Sequence, residues 1–323
     1  MIQKKKKHTG LIVFIVIIVL LACMAAVSFF AVPRRSPERP VKFFSQEYLA
    51  VLSVNGVIQD ENKTYNQDWL LDTIGRLKND RKNLGVFLFI DSPGGSVYEA
   101  DEVYLALRDY ARSGKELRAY LGPLAASGGY YIACAAEHID ANRNTLTGSI
   151  GVIGSQSVDL TRLLDTYGIR VTTITAGKNK NMLNFNNPLT AEQRAIMQSI
   201  ADECYEQFVS IVADARHLSV TQVKTLGDGR IYTASQAKSA ALIDGIDGFD
   251  ESLEKFKTTL LPHTKSGTLE IVHYTYTPRS SLSDFFAAMT GAAKNNAYSP
   301  IPKAALEKLA PAGVKYPAYL YMP

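Results

Sequence analysis

Two stretches of this chain repeat one pattern: a continuous apolar run, a glycine pair, and the start of a helix. In the first, Gly85-Val-Phe-Leu-Phe-Ile90 leads into Asp91-Ser-Pro-Gly-Gly-Ser96, and Ala100, Val103, Tyr104 and Leu107 then recur at helical spacing. In the second, Ala119, Tyr120 and Leu121 lead through a Gly-Pro break into Ala125-Ala-Ser-Gly-Gly129, followed by small and apolar residues over 130–136. A short apolar run bounded by turns reads as a strand buried on both faces, which is the signature of a parallel sheet. Strands that alternate with helices then specify an α/β domain.

The remaining pattern extends that reading. Residues 48–54 and 171–175 read as strands, and 269–277 alternates as an edge strand. Trp69, Leu70, Ile74 and Leu77 mark one helix and residues 160–167 another. Ser96 with Glu99, Thr190 with Gln193, and Thr233 with Gln236 have capping-box spacing. The second box opens a long helix on which Ile196, Ile200, Cys204 and Phe208 recur every fourth residue. The third opens a helix through Ala240 and Leu242, closed by Gly245.

Residues 11–32 are apolar and uncharged, long enough to span a bilayer. The expected organisation is a cytoplasmic tail (1–10), a transmembrane anchor (11–32), a Pro/Arg-rich linker (33–46), a catalytic domain (47–264) and a C-terminal extension (265–323). Leu20-Leu-Ala-Cys23 resembles a lipoprotein cleavage box, but the apolar run continues past Cys23. The net charge of +4 owes much to Lys4-Lys-Lys-Lys7, which suits lipid headgroups and implies no nucleic-acid surface. Cys23, Cys134 and Cys204 have neither disulfide-framework nor metal spacing, and Cys134 and Cys204 read as buried thiols.

A serine at a helix start has its hydroxyl beside N–H groups that lack intrahelical partners, and such groups can hold an oxyanion. Ser127 has that position; the plain alternative is a helix cap. Gly95 and Gly128 are placed to supply two oxyanion N–H groups. A serine nucleophile needs an adjacent base. Of the histidines, His8 precedes the apolar span, and His138 would sit roughly 16 Å along the same helix. His217, His263 and His273 have no motif around them. A lysine can serve if burial keeps it neutral. Lys178 and Lys180 follow an apolar run in the turn Gly177-Lys-Asn-Lys-Asn181, and the pattern does not choose between them.

Ser92-Pro-Gly-Gly-Ser96, Ala125-Ala-Ser-Gly-Gly-Tyr-Tyr131, Gly148-Ser-Ile-Gly-Val152 and Gly229-Arg-Ile-Tyr-Thr233, in that order, resemble the signal peptide peptidase A family. The resemblance covers about residues 48–256. It implies a Clp-protease/crotonase-like fold and a membrane serine peptidase with a Ser-Lys dyad. That enzyme would need no cofactor, form a homo-oligomer and cleave remnant signal peptides, with its catalytic domain on the extracytoplasmic side of the cell membrane. By the family's register Ser127 is the nucleophile, Gly95 and Gly128 form the oxyanion hole, Ser149 orients the base, and Lys180 is the base. The family's turn has Asp or Ser where this chain has Asn181. Two other readings compete: a crotonase-type acyl-CoA enzyme, which has no use for a serine at the helix start, and a non-catalytic membrane scaffold, supported by the altered lysine turn.

The chain ends on Val314-Lys-Tyr-Pro-Ala-Tyr-Leu-Tyr-Met-Pro323, apolar with little helix signal. Each large side chain there gains roughly 1.5–3 kcal/mol on burial, so the tail is expected to pack either on its own domain as an edge strand or in a substrate groove. Occupation of the groove predicts that deleting residues 316–323 lowers the Michaelis constant for a short apolar peptide with folding unharmed. An unchanged constant assigns the tail a structural role.

Overall fold

The computed structural model describes residues 46–278. The expected span at 11–32, the linker up to residue 45, Cys23 and the tail from residue 279 lie outside the described residues. The apolar runs form strands as their composition dictates. β1 (Tyr48–Asn55), β2 (Asn83–Ser92) and β3 (Glu116–Ala126) lie side by side and parallel, with Val51 opposite Phe87 and Phe89 opposite Tyr120. α1 (Gln67–Asn79) and α2 (Val97–Arg112) cross between them on one face. β4 (His138–Ala141) and β5 (Leu146–Gly148) both pair with β3, parallel, at successive positions along it. β6 (Ile231–Thr233) closes one edge antiparallel to β5, and β7 (Gly245–Ile246) pairs with β4. β8 (Glu270–Tyr274) closes the other edge, parallel to β1, so the main path runs β6-β5-β3-β2-β1-β8. The result is an α/β fold with a mostly parallel mixed sheet.

The helices after β3 are α3 (Gly128–Ala133), α4 (Thr161–Thr166), α5 (Ala191–Arg216), α6 (Val220–Leu226), α7 (Ala234–Ser239) and α8 (Phe249–Leu260). α8 covers one sheet face: its Leu253, Phe256 and Leu260 pack with Leu49, Val51, Phe87 and Tyr120 of the strands. Phe249 meets Phe87 edge-on with ring centroids 5.6 Å apart, and the Arg118 guanidinium lies 5.0 Å over Phe256. β4 is tied to its neighbours by carboxylates. Asp140 accepts from Ser252 Oγ at 2.6 Å and pairs with His138 at 2.9 Å. Asp244 accepts from Ile139 N at 2.8 Å and holds Arg216 bidentately at 2.7 and 2.9 Å. Burial opposes ionisation of Asp140, but its bonds to His138 and Ser252 prevail and hold its carboxyl below the usual range.

Several expected elements differ. The capping boxes at Thr190 and Thr233 form, whereas Ser96 gives no side-chain cap and bonds the Glu99 carboxylate instead. α7 stops at Ser239, and Gly245 belongs to β7. α3 ends at Ala133, so His138 starts a strand rather than ending the Ser127 helix. Residues 171–175 form no strand: they are exposed and pair with no strand of the sheet. On α5 the stripe is buried only from Phe208 onward; Ile200 is 47% exposed, and Cys204 is half-buried rather than buried.

The α8 face carries a stability prediction. Phe256→Ala leaves a cavity among Phe87, Leu49 and Leu260 and lowers unfolding free energy by about 3–5 kcal/mol. Denaturant titration checks this, and a loss below about 1 kcal/mol would mean the rings are not packed together.

Candidate active site

Ser127 sits where β3 turns into α3, with φ 52° and ψ −122°. A non-glycine residue at positive φ costs about 1–3 kcal/mol and persists only where the surroundings enforce it. Here three contacts do so. Ser127 N donates to Gly148 O at 2.8 Å, Tyr131 N donates to Ser127 O at 2.9 Å, and the Gly94-Gly95 loop lies against its side chain. The Ser127 hydroxyl makes no helix-cap bond. The capping role open to it in the sequence is therefore not the one it plays, and the hydroxyl is left half-buried at the mouth of a cleft.

The glycines follow from closeness. A Cβ on Gly94 (φ 97°) would fall 2.8 Å from Ser127 Cβ and 2.7 Å from Gly128 N. A Cβ on Gly95 would fall 1.9 Å from Ile58 O. The loop is held from behind by Ile58, whose N–H donates to Gly94 O at 3.0 Å and whose O accepts from Ser96 N at 2.9 Å. That pairing uses the groups on either side of Gly95 and leaves its own N–H pointing the other way. Gly128 N–H is the first of α3 and has no intrahelical acceptor. A Cβ on Gly128 would lie 3.3 Å from Gly95 N, so the two amides flank one small space beside Ser127.

That space opens into a cleft lined by Val97 and Ala100 of α2, Ser127 and Tyr131, Gly151 and Val152, and Cys204 and Phe208 of α5. The structure thus brings together Ser127, Gly95 and Gly128. Ser149 stands next to this group in the chain pairing: Gly148 O holds Ser127 N, while Ser149 N (φ 50°) donates to Arg230 O at 2.8 Å. The Gly-Ser-Ile-Gly and Gly-Arg-Ile-Tyr-Thr motifs therefore form one antiparallel corner that backs the serine turn. Lys178 and Lys180 are exposed, and neither lines the cleft. Lys178 is paired with Glu192 at 2.5 Å, an interaction that lowers the Glu192 carboxyl; the Lys180 amide donates to Gly177 O at 3.2 Å. Among the described residues no three His, Cys, Asp or Glu side chains come together as a metal site.

Sequence reasoning missed Ile58, which fastens the Gly95 loop, and the α5 wall of the cleft. Ile58 carried no signal beyond an apolar residue after a glycine. Cys204 and Phe208 stood in the helical stripe, whose last members face the cleft.

A strained serine on a strand-to-helix turn, with two amides aimed beside its hydroxyl, is the arrangement of an acyl-transferring hydrolase. The sequence comparisons place the chain in a peptidase family. The Peptidase family S49 profile matches residues 110–261. A Synechocystis sp. protein named as a candidate protease is 36% identical over 221 residues, 68% of this chain and 77% of its own length. An Enterococcus faecium protein named as a candidate signal peptide peptidase SppA is 33% identical over 220 residues, 66% of this chain and 64% of its own length. A solved Listeria monocytogenes ClpP1 mutant superposes with a TM-score of 0.44 at 16% identity, over 63% of this chain and 94% of its own. The chain belongs to peptidase family S49, a family of serine proteases.

The Gly95 geometry predicts that Gly95→Ala displaces the loop from Ile58, lowers the melting temperature and lowers peptidase turnover of the folded protein about 10²–10³-fold. Turnover near wild type would show that the Gly95 amide is not aimed at the reacting centre.

Proposed function

We propose that the protein is a membrane-anchored serine endopeptidase that uses a Ser-Lys dyad to cleave remnant signal peptides and similar apolar peptides. The observation that carries this reading is the Ser127 turn, with its strained backbone and uncapped hydroxyl beside the Gly95 and Gly128 amides. In this reading Ser127 Oγ attacks the scissile carbonyl and its proton passes to a neutral lysine amine. The two amides hold the oxyanion as the tetrahedral intermediate forms, and the protonated amine then gives its proton to the leaving nitrogen. The cleft takes an apolar side chain, as its Val97, Ala100, Val152 and Phe208 lining suggests. The chemistry calls on no cofactor.

Lys180 is the proposed base and Ser149 the residue that orients it, from the family register. Within one copy Lys180 is exposed. A lysine serves as a base only when desolvation keeps it neutral, so the dyad is assigned to a homo-oligomer in which another copy covers this segment. The exposed apolar residues favour that arrangement: Ile153, Val158, Leu163, Tyr167, Ile169 and Ile174 are each at least half exposed along one stretch. Contiguous apolar exposure of this kind marks an interface. Residues 11–32 are proposed to anchor the protein in the cell membrane with this domain outside the cytoplasm.

Three single variants test the dyad. Ser127→Ala and Lys180→Met abolish peptide hydrolysis with the fold intact, and Lys178→Met does not. Wild-type activity rises with pH, because only the neutral amine accepts the serine proton. Near-wild-type hydrolysis by purified Ser127→Ala would overturn the mechanism; a dead Lys178→Met beside an active Lys180→Met would move the base by two residues.

A further inference from the structure

Tyr131, the last residue of the motif over 125–131, lines the cleft beside Ser127. Tyr131 is one helical turn after Ser127 on α3 and only 5% exposed. Its ring meets Phe208 edge-on with centroids 5.0 Å apart, and Tyr104 edge-on at 5.4 Å. Its hydroxyl is fully engaged. It donates to Asp101 Oδ1 on α2 at 2.6 Å and accepts from Gln207 Nε2 on α5 at 2.7 Å. The same Gln207 amide donates to Asp101 Oδ1 at 3.0 Å. Burial, and then the bond to Asp101, raise the phenol above its ordinary value and keep it a protonated donor.

Three helices thus converge on one phenol. Both roles of the hydroxyl are filled by protein, so what this residue offers the cleft is ring carbon. Packing against Phe208 and Tyr104 confines the ring, and the two bonds to separate helices set the position of its hydroxyl end and so the tilt of the ring. Tyr131 lines the cleft together with Val97, Ala100 and Phe208.

Resting on the reading that Ser127 is the nucleophile, we propose that Asp101 and Gln207 are specificity-determining positioning residues. By locking Tyr131 they limit the side chain before the scissile bond to small and aliphatic groups and turn away aromatic ones. Neither residue touches substrate. Each acts through the angle of the Tyr131 ring. Gln207 is exposed even though its amide reaches Tyr131 and Asp101, so its replacement removes these bonds without emptying a buried volume.

The test uses the full-length protein and two fluorogenic peptides that differ only in Ala or Phe before the cleaved bond. Wild type favours the Ala peptide by about tenfold or more in kcat/KM, a discrimination within reach of one apolar pocket. Gln207→Leu and Asp101→Ala each narrow that ratio by about fivefold or more, through a lower KM for the Phe peptide, while Asp101→Asn, which keeps an acceptor for the phenol, stays within about twofold of wild type. An unchanged ratio in both Gln207→Leu and Asp101→Ala overturns the proposal, as does an equal loss on both peptides, which a merely structural role would give. The nucleophile reading fails separately: wild type would then take no fluorophosphonate label at Ser127, and the selectivity proposal would fall with it. Labelling at Ser127 with an unchanged ratio overturns the selectivity proposal alone.

Discussion

The backbone-to-backbone wedge between Ile58, the Gly94-Gly95 loop and the Ser127-Gly128 turn is the constraint on which the rest of the site depends. Three chain segments meet there with no room for a Cβ on either loop glycine. The closeness does two things at once. It forces Ser127 into a backbone conformation that the residue would not adopt alone, and it brings two unspent N–H groups to one side of the hydroxyl. Strain and amide placement have the same origin, because the packing that enforces φ 52° also sets the Gly95 and Gly128 amides beside Ser127. The sheet supplies the rigidity: β2 and β3 run side by side into the wedge, and the β5–β6 corner backs it through Gly148.

Much of this was legible in the chain because it is local. An apolar run, a glycine pair and a helix start lie within about a dozen residues of one another in each of the two units, and each unit folds as its pattern indicates. The edge strand expected at 269–277 is present as β8 for the same reason. What failed is instructive. Residues 171–175 have strand composition, yet they stay exposed and join no strand, because composition reports a propensity and not a pairing partner. The α5 stripe has helical period, yet period reports that a face is apolar and not what covers it; Ile200 remains exposed while Phe208 is buried. The Asp101–Tyr131–Gln207 cluster was not legible as a cluster: Tyr131 ends a motif, but Asp101 and Gln207 come from two other helices and share no spacing with it.

The two kinds of exposure along residues 151–200 belong together. The stretch that carries Lys180 is also the stretch with the most exposed apolar side chains, and it continues into the uncovered half of α5. The wedge and the cleft form from residues of one copy alone, and the lysine turn does not line them. On the proposed reading, with Lys180 as the base, the serine of a single copy would stay idle until another copy covers that turn.

β8 places one further demand on how the protein is made. The sheet's first strand, β1, is buried between β2 and β8, and it pairs Tyr48 with Glu270. During synthesis the chain must therefore emerge almost to the end of the described domain before β1 gains its second neighbour. Until then β1 offers a bare, apolar edge, the kind that invites pairing with a foreign strand. Such long-range closure is slow, because the loop entropy is spent before the contact is made. The last strand to arrive is thus a built-in guard against aggregation, and a chain truncated before residue 270 would retain every residue of the wedge while presenting an unprotected sheet edge.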